Sequence, residues 1–126
     1  MTPQKRRAIL TRARELFNAG EYWRAHEALE TVWRSIIKDG DAGAASVWQG
    51  LIQAAAALLH QRRGNRHGVA VVGGSALAKL AGPQRGDVEF ETVAFGERLA
   101  RALAGDAEPP SLEFRSHNGE RTTDDG

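Results

Sequence analysis

The 126-residue sequence contains no cysteine. That excludes disulfides, thiolate metal ligation and cysteine nucleophiles, and it suits a reducing compartment. Net charge is also nearly absent, since 17 Lys and Arg stand against 16 Asp and Glu. This balance supplies no whole-protein field for nucleic acid or an anionic membrane. Long apolar runs are missing. The longest, Ala54 to Leu59, falls far short of the ~20 residues that span a bilayer. The basic N-terminus leads into an amphipathic pattern, with no separate apolar segment and cleavage site. No stretch alternates apolar and polar residues as a half-buried strand does. The expectation is a soluble cytoplasmic chain without a membrane partner or a nucleic-acid partner.

What the sequence does contain is helical periodicity. The hydrophobic fraction of 41% is ordinary for a folded chain, and the length suits one domain. Residues 1–115 are expected to form that domain, with a disordered polar tail over 116–126. Thr2-Pro3 opens a first helix that Gly20 ends. A second runs from about Glu21 to Ile37, with Tyr22, Ala25, Leu29, Val32, Trp33 and Ile36 as its apolar stripe. A third, from about Ala42 to Arg62, is apolar nearly all round, as central helices are. Asn65 caps a fourth that reaches about Leu80, interrupted by Gly73-Gly74, which implies close packing, a kink or a segment that is not helix. Asp87 caps a fifth, reaching about Ala104 with Phe90 on its buried side. The fold class predicted is all-α, a compact bundle of about five helices arranged as antiparallel hairpins. The apolar helix faces also allow a homodimer.

Chemistry-bearing residues concentrate in two stretches. The first, Tyr22 to Trp33, reads Y-W-R-A-H-E-A-L-E-T-V-W. His26 and Glu30 are four apart and share a helix face, with Glu27 one step round and Trp33 continuing the row. The second runs from Gln49 to Asn65, and there Gln49, Gln53 and His60 fall on a common stripe. Antiparallel packing would set His26 and Glu30 opposite Gln49 and Gln53, with His60 and Asn65 towards one end. Trp23, Trp33 and Trp48 are expected as core or groove aromatics with hydrogen-bonded indole N–H groups, and an interaction module would use Trp23 and Trp48 as exposed aromatics.

Three readings compete for this set. A divalent metal held by His26 and Glu30 needs about three or four ligands, so Glu27 or His60 would have to join. H-E-x-x-E resembles a zinc-protease pattern with its second histidine replaced, a short motif that carries no protease assignment by itself. A glutamate-oriented histidine could also act as a general base without metal. Alternatively, His, Glu and Gln satisfy one another as a buried network that fixes helix register. The leading functional reading is a small-ligand or divalent-metal site between helices two and three, with hydrolysis as its candidate chemistry. The other is a helical protein-interaction module in which the cluster is architectural.

Three blocks, Y-W-R-A-H-E-A-L-E-T-V-W, W-Q-G-L-I-Q-A-A-A-A-L-L-H and G-N-R-H-G, occur in this order. Together they resemble the family of small helical proteins called domain of unknown function 309, over roughly Leu16 to Leu80. The resemblance implies an all-α domain and no established activity. Its signature residues fall on His26, Glu27, Glu30 and Trp33, then Gln49, Gly50, Gln53 and His60, then Asn65 and Gly68. Arg24 stands where an acidic residue is expected, and Val69 where a small alanine is expected. The first departure removes a third carboxylate from the second helix.

Overall fold

The computed structural model describes residues 1–116. Helix α1 spans Pro3–Asn18, α2 Tyr22–Asp39 and α3 Ala42–Arg62. Then follow α4 (Arg66–Gly68), a π-helical turn (Val69–Gly73) and α5 (Gly74–Leu80) in unbroken succession, and finally α6 (Val93–Leu103). Short connections fold α1 on α2 and α2 on α3 as antiparallel hairpins. Among the described residues the extended structure is a single bridge between Phe90 and Phe114. The all-α bundle is therefore as predicted. The expected tail over 116–126 lies, apart from Ser116, outside the described residues.

Local chemistry sets the helix ends. The Thr2 hydroxyl accepts from the Lys5 amide at 3.1 Å, with Pro3 in the first turn. The Asp41 carboxylate accepts from the Ala44 amide at 3.0 Å and starts α3. Gly40 closes α2 in the left-handed region, at φ +82°.

Helix α3 is the centre of the bundle and packs against α2, the π turn, α5 and α6. By length and composition it could cross a bilayer, yet 56% of its apolar window is buried inside the protein. Its apolarity serves helix packing. Ala54, Ala55 and Ala57 are fully buried, and small side chains there let neighbouring backbones approach closely. Gly50 marks a close crossing with α5. A Cβ on it would lie 2.9 Å from the Lys79 Cβ and 3.1 Å from the Leu80 Cγ.

Two expectations need correction. The fifth rod does not start at Asp87. Glu91 caps α6, accepting from the amides of Ala94 (2.8 Å) and Phe95 (3.2 Å), while Asp87 is held by Arg85 at 2.8 and 2.9 Å. Phe90 is buried before the helix begins, in the bridge to Phe114. Gln84 organises this loop: its amide nitrogen donates to the carbonyls of Arg85, Val88 and Phe90, and its oxygen accepts from Thr92. The fourth rod, in turn, is not one regular helix. It contains the π turn, and Gly73 lies so near the Leu103 side chain that a Cβ would meet its Cδ1 at 2.9 Å. The chain after α6 crosses back over α1, where the Asn18 side chain bonds both the amide and the carbonyl of Leu112.

Tyr22 anchors the start of α2. It is packed edge-on against Phe17, and the Arg62 guanidinium lies 4.8 Å from its ring centre. Burial pushes its phenol above the ordinary range, and Arg62 opposes this with a smaller effect. Because the folded value is the higher one, this stabilisation is complete below the unfolded pKa near 10 and disappears as pH rises through the folded value. Tyr22 is the only tyrosine, so phenolate absorbance reports it directly. Its titration midpoint should drop when the chain is unfolded in urea; equal midpoints would contradict this packing. The two glycine environments give a second expectation. Gly50→Ala should cost about 1–3 kcal/mol, since the atoms it meets are not free side-chain ends. Gly74→Ala, which meets nothing within 4 Å, should stabilise by about 0.5–1 kcal/mol. Denaturant unfolding of both variants checks the contrast.

Candidate functional site

The eight candidate residues do not form one cluster. They divide between the outer side of α2 and the inner framework of α3 and α4. On α2, the helical period places Trp23, His26, Glu27, Glu30 and Arg34 along one side. Trp23 is 59% exposed and lies flat on the His26 ring, with centroids 5.0 Å apart and planes inclined by 12°. His26 Nε2 faces Glu30 Oε2 at 3.8 Å, and the other Glu30 oxygen faces Arg34 at 3.6 Å. The His26 side chain is 19% exposed and that of Glu30 27%, so both remain reachable from solvent. Glu27 is exposed, and Trp33 is partly buried against the core.

The expected opposition of His26 and Glu30 to Gln49 and Gln53 does not occur. Among the described residues no hydrogen bond joins the two pairs. Gln53 faces the other way, and its oxygen accepts from the Ser75 hydroxyl at 3.0 Å; that hydroxyl accepts in turn from Lys79 Nζ at 2.6 Å. Gln49 is half-buried on the same stripe of α3. The physical reason is that α3 is shared. Its polar stripe bonds to α5, which crosses it closely at Gly50, and leaves α2 to pack on apolar side chains. His26 Nδ1 is consequently buried without a partner among the described residues. The hydrogen-bonding capacity of Nδ1 is therefore unused among the described residues.

His60 and Asn65 form a separate interlock. The Asn65 carbonyl oxygen accepts from the Gly68 amide at 2.9 Å and caps α4, while its NH₂ group lies 3.1 Å from His60 Nδ1. The His60 ring lies directly on Gly68, where a Cβ would come within 2.6 Å of two ring atoms. These three signature residues hold the α3–α4 turn together. A cavity of about 240 Å³ adjoins it, lined by Asn65, Arg66, Val69 and Leu103 among others. Asn65 is the one candidate residue on its lining.

Trp48 is the expected core aromatic and departs from expectation in its indole N–H. It is fully buried, edge-on to Phe90 at 5.9 Å, and its indole N–H finds no partner among the described residues. Arg6 lies 5.4 Å from its ring centre and is fixed there by a two-pronged bond to Glu89 at 2.7 and 2.9 Å. Sequence reasoning missed the Ser75–Lys79 pair, although its i,i+4 spacing was visible. Lys79 donates to the serine oxygen, and the serine proton is directed to Gln53.

Among the described residues no group of three or more His, Asp or Glu side chains is placed to hold a metal ion. His26 and Glu30 offer two ligands, so any divalent ion there would draw its others from water or a partner.

A family profile described as Domain of unknown function (DUF309) matches residues 10–72. The match covers half of the chain and all eight candidate residues. The chain belongs to this family. Its description assigns no activity. No curated protein and no solved structure matches the chain.

The His60–Asn65–Gly68 interlock makes a specific demand on Asn65. Asn65→Ala should cost about 1–2 kcal/mol through the lost cap, and Asn65→Asp, which keeps the accepting oxygen, should recover most of it. Equal losses in thermal unfolding would show that the cap is not what stabilises the turn.

Proposed function

We propose that the protein is a helical protein-interaction module whose recognition face is the outer side of α2: Trp23, His26, Glu27, Glu30 and Arg34. One observation carries this reading. The polar contacts of His26 and Glu30 remain within α2 among the described residues. The row therefore does little to join helices. By contrast, Gln53, His60 and Asn65 all bond across elements or turns. An exposed tryptophan stacked on a half-buried histidine, with arginine and glutamate around it, has the composition of an interface anchor. Trp and Arg dominate such anchors, and their charged surroundings set orientation. Trp23 is held flat by His26, so little side-chain freedom remains to be lost on binding.

A small-ligand or divalent-metal site at His26 and Glu30 is the second reading. The unpartnered Nδ1 of His26 favours it, since a small displacement of the ring would present that nitrogen to a ligand or an ion. The limited ligand set and the shallow setting favour the interaction module instead.

Site-specific photocrosslinking separates the α2 face from the rest of the surface. With p-benzoylphenylalanine replacing Trp23 or Glu27, irradiation of cells expressing the protein should give one discrete protein adduct. The same probe at exposed Glu97 on α6 should give none. An adduct of equal yield at position 97, or no adduct at 23 and 27, would refute the assignment.

A further inference from the structure

The recognition face carries a pattern that is complementary to itself when reversed. Trp23 and Ile37, 59% and 52% exposed, are the large exposed apolar side chains of α2. They lie fourteen residues apart, nearly four whole turns, and so project from one side of the helix roughly 21 Å apart. Between them on that side are Glu27 and Arg34, seven residues apart. From one end the order is apolar, acidic, basic, apolar.

A second copy laid antiparallel, with the two-fold axis passing between Glu30 and Thr31, puts the charged positions in register and the apolar positions within one residue of register. Trp23 then lies beside Ile37 of the partner subunit, and Glu27 lies opposite Arg34 of the partner subunit. Parallel pairing would instead set Glu27 on Glu27 and Arg34 on Arg34, an arrangement that like charges oppose. The two Glu30 side chains approach near the axis. Each already has its own Arg34 at 3.6 Å, which reduces their repulsion.

We infer that the occupant of this face is a second copy of the chain, in an isologous antiparallel α2–α2 dimer. The inference rests on the reading of α2 as a recognition face. A single helix pair buries on the order of 1,000 Å² or less, below the ~1,200–2,000 Å² of stable specific complexes. The dimer therefore forms and dissociates with concentration.

Sedimentation equilibrium of the full chain between about 5 and 500 µM should show a monomer–dimer equilibrium. Trp23→Ala should weaken it at least about tenfold, and Ile37→Ser provides a second test from the other end of the same contact. Arg34→Glu should weaken it similarly, and adding Glu27→Lys should restore it, because the charge pairs re-form in reversed sense. Circular dichroism establishes that each variant retains its helices. A monomer throughout this range, or a double charge reversal that fails to restore association, overturns the self-pairing. The photocrosslink distinguishes the two failures. An adduct at position 23 to a different protein rejects the self-pairing and leaves the recognition face standing, whereas the absence of any adduct rejects the face.

Discussion

Helix α3 is able to occupy the centre because at Gly50, Ala54, Ala55 and Ala57 it presents little more than backbone to its neighbours. Close approach at Gly50 seats the Lys79 Cβ and the Leu80 side chain where a side chain would otherwise be. That contact fixes α5 against α3. It also aligns Ser75 and Lys79 with Gln53, so the polar stripe of α3 is used inside the bundle. The π turn and the His60–Asn65–Gly68 interlock then return the chain at the angle this crossing needs. The remaining packing follows: α2 turns its buried stripe, Ala25, Leu29, Val32 and Ile36, into the core it shares with α1 and α3, and its outward row faces away.

Much of the fold was legible because helix periodicity and end signals are local. Pro3 and Gly20 acted as the sequence suggested, and so did the apolar middle of α3. The errors fall where the outcome depends on distant partners. Asp87 has the chemistry of a cap, but Arg85 holds it, and Glu91 takes the capping role next to the true helix start. Phe90 has helical spacing with Val93 and Ala94, yet stacking on Phe114 places it in a bridge. Trp48 differs from Trp23 only in which side of its helix faces the core, a choice set by how α3 is shared among four neighbours.

The candidate site was legible as a list of residues and not as an arrangement. Spacing put His26 with Glu30, and His60 near Asn65, because i,i+4 and turn contacts are local. It could not decide whether the stripe on α3 turned towards α2 or α5, since both helices pack on it. Gly50 carried the deciding signal: a glycine within an alanine helix marks a close approach, and Gln53, three residues on, lies beside that crossing. The H-E-x-x-E motif accordingly stands apart from the glutamines that would have completed a site.

The central claim is that the α2 row serves recognition and the α3–α4 residues serve the fold. Equilibrium unfolding of the combined variant Trp23→Ala, Glu27→Ala, Glu30→Ala tests it most directly. Exposed and weakly paired side chains contribute little, so the account predicts a change smaller than about 1 kcal/mol. A loss of about 3 kcal/mol or more, the size of a core truncation, would place the row within the folding machinery and contradict the account.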